Sequence, residues 1–218
     1  MVEITLEDIG KRFNNNWIFA NLSCMLTPNN HTAILGANGS GKSTLLQVIM
    51  SSVIPTTGNI TYTLHGSKIL HQNAFRLMAI CAPYIELIEE FTLEEMINFH
   101  RRLKPLVRNI SSKEVALLCN LKNDYTKHIR YFSSGMKQRV RLALSILSET
   151  PILLLDEPTS NLDQEGISWY NEMIMQNQKD RIVIVSSNSV DHEFSFCSQK
   201  IILEDFKNIP AKNSNLLL

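Results

Sequence analysis

Residues Gly36 to Thr44 read Gly-Ala-Asn-Gly-Ser-Gly-Lys-Ser-Thr, and few nine-residue segments restrict a fold as tightly. The spacing Gly-x4-Gly-Lys-Ser lets successive backbone N–H groups curl around an anion without Cβ atoms blocking the approach. Such a loop needs a strand before it and a helix after it. Thr32–Leu35 is therefore expected as a buried strand and Lys42 to about Ser51 as a helix. The positive end of that helix faces the same anion. Gly36, Ala37, Asn38, Gly39, Ser40 and Gly41 form the cradle that leads into Lys42, Ser43 and Thr44. Lys42 is placed to neutralise the outer phosphates and Ser43 to offer a hydroxyl to magnesium. The ligand class that follows is a nucleoside triphosphate.

A second segment, Ile152-Leu-Leu-Leu-Asp-Glu-Pro158, is an apolar run ending in two carboxylates. This suits a buried strand that delivers acids at its carboxyl end, where open α/β sheets place their ligands. Asp156 is expected to hold the magnesium ion, and Glu157 to polarise the water that attacks the γ phosphate. On its own the segment could be an acidic end on an ordinary strand. With the glycine loop it supplies the other half of a magnesium–nucleotide site.

Between and around these motifs, strand and helix patterns alternate. Val2, Ile4 and Leu6 alternate with polar residues, Trp17 to Leu26 is apolar, and Ile60–Leu64 resumes alternation after Pro55 and Gly58. Met78–Cys81 reads as a short buried strand. Thr92-Leu-Glu-Glu95 and Ser111-Ser-Lys-Glu114 match the capping box, so two or three helices are expected between Phe91 and Leu147. Gln164–Asn177 reads as a helix, with strands at Ile152–Asp156, Arg181–Ser186 and Ile201–Leu203. A mostly parallel sheet interrupted by a helical insertion follows. Lys207 to Leu218 reads as a loosely held tail.

The chain of 218 residues carries 21 basic and 21 acidic side chains. Zero net charge gives no bulk electrostatic reason to bind nucleic acid or an anionic membrane. Cys24, Cys81, Cys119 and Cys197 form no CxxC pair and are expected as reduced thiols. No apolar run reaches the roughly 18 residues that cross a bilayer, and Glu3, Glu7 and Asp8 stand where a signal peptide would be basic and then apolar.

Phe132-Ser-Ser-Gly-Met-Lys-Gln-Arg-Val140 lies about one helix length before the carboxylate strand, and Ser160-Asn-Leu-Asp163 lies after it. With Gly36–Thr44 and Leu155–Pro158 these segments resemble the ATP-binding cassette ATPases, in family order across essentially the whole chain. The resemblance implies an α/β P-loop core with a mostly parallel sheet, an N-terminal antiparallel β subdomain and an inserted α-helical subdomain. The expected division is a core from residues 1–83 and 148–206, a helical lobe at 84–147 and a tail at 207–218. It also implies ATP and magnesium as cofactors, and a second cassette that closes on the first. Ser133, Ser134 and Gly135 would then face the γ phosphate held by the other subunit, with Asp163 nearby. In isolation, Ser133 reads equally well as a helix cap.

Departures from the family pattern concern side chains. Tyr84 stands where a glutamine usually helps to hold magnesium. Asn188 replaces the histidine that touches the γ phosphate, and Met136 replaces the signature glutamine. Asn188 can donate a hydrogen bond but cannot take up a proton or carry positive charge, so hydrolysis is expected to be slow. His192 reads as a solvated loop histidine that could substitute only if it reached the site. Phe13, with Trp17 second, is the expected adenine-stacking face.

The family points to a transporter subunit at the cytoplasmic face of the inner or plasma membrane, driving separate membrane-spanning subunits and binding no nucleic acid. The short single cassette resembles small exporter subunits such as the haem exporter type. Glu86, Leu87 and Phe91 are expected to meet the membrane partner. The alternative is a soluble cassette acting in assembly, for example of iron–sulfur clusters.

Overall fold

The computed structural model describes residues 1–28 and 30–207. In chain order its strands are β1 (Val2–Phe13), β2 (Asn16–Leu26), β3 (Thr32–Leu35), β4 (Thr57–Leu64), β5 (Ser67–Ile69), β6 (Met78–Cys81), β7 (Ile152–Asp156), β8 (Ile182–Ser187) and β9 (Gln199–Ile202). The helices are α1 (Lys42–Ile49), α2 (His71–Ala74), α3 (Leu93–Leu103), α4 (Ser112–Leu118), α5 (Ser134–Ile146), α6 (Gln164–Asn177) and α7 (Asp191–Phe194). Two sheets result. One is antiparallel, ordered β2-β1-β4-β5, and the other is ordered β6-β7-β8-β3-β9, with parallel pairing throughout. The greater part of the tail expected to be loose, residues 208–218, lies outside the described residues.

Period-two geometry explains how the parallel sheet holds the molecule together. Leu153, Leu155, Val183 and Val185 face one cluster, which contains Leu93, Ile97, Val115 and Phe132 of the helical segment. Their neighbours Ile152, Leu154, Ile182 and Ile184 face the other cluster, shared with α1 and the antiparallel sheet. Successive side chains point to opposite faces, so four consecutive apolar residues are needed to fill both. Truncating one of them to alanine would cost about 2–5 kcal/mol.

Both capping boxes form. Thr92 Oγ1 accepts from Glu95 N at 3.2 Å while a Glu95 carboxylate oxygen accepts from Thr92 N at 2.8 Å. Ser111 and Glu114 repeat the arrangement, fixing the starts of α3 and α4. At the other end of the helical segment, Arg181 is buried where α5 and α6 finish. Its guanidinium donates to Ile146 O at 2.6 Å, Asn177 O at 3.4 Å and Thr150 Oγ1 at 3.1 Å. A cation between the negative ends of two helices is favourable. Burial nonetheless lowers its pKa to about 10. All four cysteines are free. Burial pushes the Cys81 and Cys119 thiols up to about 12, which leaves them unreactive.

Candidate nucleotide site

The glycine loop joins the carboxyl end of β3 to α1, flanked by the ends of β8 and β9. Gly41 has φ +108°, and a Cβ there would fall 2.2 Å from Ile18 Cγ2. Both the backbone conformation and the space therefore demand glycine. Lys42 is almost fully buried. Its Nζ donates to Gly36 O at 2.9 Å, to Ala37 O at 3.1 Å and to Asn188 Oδ1. Ser43 opens α1 with its side chain exposed.

The two carboxylates lie at the end of β7. Asp156 is 2 % exposed and accepts from Ser186 Oγ on the neighbouring strand. Glu157 has φ +47°, a left-handed conformation that non-glycine residues seldom adopt. Its backbone N–H donates to Ser186 O at 3.0 Å, and its Oε1 accepts from Asn188 Nδ2 at 2.9 Å. One neutral amide thus joins Lys42 to Glu157. An asparagine has both an acceptor and two N–H groups, so one N–H remains for a ligand.

Tyr84 lies at the same place. Burial raises its phenol pKa, the Asp156 charge raises it further, and a hydrogen bond with Gln47 opposes both. Gln47 escaped the sequence reading, although it lies four residues after Ser43 on α1 and so shares its face. Helical side chains lean toward the preceding turn, which carries the Gln47 amide back toward Ser43. Hydroxyl, carboxylate and amide oxygens such as those of Ser43, Asp156 and Gln47 are of the kind that magnesium takes. Among the described residues no cluster of three His, Cys, Asp or Glu could hold a metal alone.

His192 is not the solvated loop residue expected. It is half-buried on α7 and its Nε2 lies 3.1 Å from Thr159 Oγ1. Beside it, buried Glu193 accepts from Thr159 N at 3.1 Å, from Thr159 Oγ1 at 2.7 Å and from Ser187 Oγ. Glu193 thereby ties α7 to the turn that follows Glu157. Gln138 of α5 does the same from the opposite side, donating to Pro158 O at 2.7 Å. Arg141, also on α5, donates to Ile85 O at 3.2 Å in the loop that carries Tyr84. No local signal marks Glu193, because its partners lie elsewhere in the chain.

Ser133, Ser134, Gly135 and Asp163 gather elsewhere. They line a cavity of about 490 Å³ with Arg139 and Glu165, and no residue of Gly36–Thr44 contributes to it. Ser133 Oγ accepts from Met136 N at 3.2 Å as the cap of α5. Asp163 Oδ1 accepts from Gly166 N at 2.8 Å as the cap of α6 and lies 3.6 Å from Arg139 Nη2. Phe13 is 48 % exposed at the end of β1, with Lys11 Nζ 4.8 Å from its ring centroid. It is no core aromatic. Trp17 is half-buried, with the Arg12 guanidinium 5.4 Å from its ring.

Comparison with known proteins agrees with this architecture. The family model for ABC transporters matches residues 19–160. The ABC transporter ATP-binding protein YxlF of Bacillus subtilis is 29% identical over 205 residues, covering 93% of this chain and 68% of its own. The lantibiotic transport ATP-binding protein SrtF of Streptococcus pyogenes is 27% identical, covering 92% and 90% respectively. A putative ABC transporter ATP-binding protein from Pyrococcus furiosus superposes with a TM-score of 0.78 at 21% identity, over 94% of this chain and 98% of its own. A dimeric ATP-binding cassette bound to ADP and phosphate gives 0.75 at 20%, over 91% and 93%. The chain belongs to the ABC transporter family, as an ATP-binding, ATP-hydrolysing cassette. Among the described residues no helix is long and apolar enough to cross a membrane.

Proposed function

We propose that this cassette pairs head to tail with a second one, identical or not, and that the pair encloses ATP to drive separate membrane-spanning subunits. The observation that carries this reading is the separation of the anion-binding groups. The phosphate loop and its acids occupy one site, whereas the amino end of α5 with Ser133–Gly135 lines another cavity. An exposed helix start of this length offers backbone N–H groups to an anion, and a second chain is the natural source of that anion.

In this reading residues 84–147 form the lobe, and residues 1–83 with 148–206 form the nucleotide-binding core. Lys42 and the loop N–H groups bind the phosphates, and Phe13 offers its face to the base. Ser43 and Asp156, with Tyr84 and Gln47 beside them, would hold magnesium, which supplies charge neutralisation at the phosphates when bound. Glu157 accepts the proton of the attacking water, oriented by Asn188 from one side and by the strained backbone from below. Leu87 and Phe91 pack half-buried against the core. The face offered to a membrane partner therefore shifts to exposed Phe99 and Leu103, with Glu86. In this reading the chain works at the cytoplasmic face of a membrane.

The test is Glu157→Gln. ATP binding should persist, turnover should fall by about 10²–10³-fold, and ATP should shift the chain to a dimer in size-exclusion chromatography. Turnover at the parent rate would remove Glu157 from the reaction.

A further inference from the structure

Glu204 is an acid that the nucleotide chemistry leaves unused, yet it rests on the phosphate loop. Directly after β9, the turn Leu203–Phe206 passes against both ends of the loop. Glu204 Oε1 accepts from Ala37 N at 2.9 Å. A Cβ on Gly36 would lie 2.9 Å from each Glu204 carboxylate oxygen, and one on Gly41 would lie 3.4 Å from Leu203 Cδ2. Leu203 is fully buried while Glu204 is exposed. The leucine therefore anchors the turn, and the carboxylate is free to serve the loop.

The chemistry of position 37 gives this contact its meaning. Ala37 lies in the first turn of the cradle and is exposed, so Glu204 competes with water for its N–H. A carboxylate makes a charge-assisted bond of about twice the strength of a neutral one. The Ala37 N–H in turn holds the Glu204 carboxyl below its usual range, joined by Glu204's own backbone N–H and more weakly by the charges of Lys207 and Lys42.

We propose that Glu204 is a positioning residue for nucleotide binding: it clamps the Gly36–Ala37 end of the loop, so that the cradle is set before ATP arrives. A loop ordered in advance loses less freedom on binding, so the contribution falls on affinity and not on the chemical step. This inference rests on the reading that Gly36–Thr44 holds the ATP phosphates.

Calorimetric titration with ATP and steady-state ATPase kinetics on the full chain test it. Glu204→Ala should raise Kd and KM about tenfold while kcat stays within about twofold. Glu204→Gln keeps an acceptor oxygen and should return both to within about threefold of the parent. Ala37→Pro removes the N–H altogether, and in that background Glu204→Ala should change Kd by less than about twofold. Unchanged Kd in Glu204→Ala overturns the proposal. So does a glutamine variant as weak as the alanine one, a tenfold loss that persists beside Ala37→Pro, or a fall in kcat in place of the rise in KM. A Lys42→Ala variant that binds ATP as tightly as the parent would instead overturn the underlying assignment of the loop.

Discussion

The glycine loop and the pair Tyr84 and Asn188 face the same site, but they are built from different materials. The loop works through backbone N–H groups, so its requirement is conformational. Gly41 must adopt φ +108° within 2.2 Å, counted from an added Cβ, of Ile18. Tyr84 and Asn188 work through side chains, so several residue types can fill each position if a neighbour compensates. Asn188 does so by linking Lys42 and Glu157 through the two ends of one amide. Tyr84 does so by lying against Gln47 beside Asp156. Backbone-built parts of a site demand one conformation, whereas side-chain-built parts can be met by more than one residue type.

The sharpest way to break that contrast is Gly41→Ala. Positive φ alone costs on the order of 1–3 kcal/mol in a non-glycine residue, and the clash with Ile18 adds to it. ATP affinity should fall about a hundredfold in a direct titration. Adding Ile18→Ala should recover part of the loss, because the clash is relieved while the backbone strain remains. Full affinity in Gly41→Ala would mean that the loop is as forgiving as the side-chain positions.

Asn188→His should have a smaller effect in the opposite direction. Turnover should rise by roughly threefold to tenfold if a proton-carrying group improves contact with the γ phosphate. The pH profile is the more telling readout. The parent has no titrating group at position 188, so its rate should be flat where the histidine variant shows an inflection near pH ~6.5. The same inflection in the parent would point to His192 and overturn the account of Asn188 as a proton-free bridge.

Tyr84→Gln should be the mildest, lowering the magnesium concentration for half-maximal ATPase by about twofold to threefold. In a Gln47→Ala background the same change should grow, because the compensating amide is gone. Equal responses in both backgrounds would dismiss Gln47 as a partner of the metal site.

The chain's own patterns reveal the scaffold with unequal clarity. Met78–Cys81, Ile152–Asp156 and Gln164–Asn177 lie where the apolar runs and caps place them, because burial on both faces or a flanking cap leaves a local trace. The helix after the loop ends at Ile49, two residues early, where Met50 and Ser51 turn and Ser51 takes φ +61°. The turns at Phe75–Leu77 and Leu203–Phe206 and the short α7 carry no comparable period. At the site, the glycine spacing and the paired acids are visible locally. Glu193 and Glu204 are not, since each acquires its meaning from a partner brought close only by the sheet. A tertiary contact between distant residues leaves no spacing to read.

The cluster on one face of the parallel sheet mixes Leu153, Leu155, Val183 and Val185 with Leu93, Ile97, Val115 and Phe132. The helical segment that presents the α5 cap is therefore not a detachable ornament. Deleting it would strip part of the cover from that sheet face, leaving only α6 and α7 residues such as Tyr170, Ile174 and Phe194 against it, and the remainder should aggregate instead of folding as a smaller nucleotide-binding unit. Heating the intact chain should melt both parts together in one transition, so exchange of the lobe between relatives has to preserve an interior and not merely two splice points.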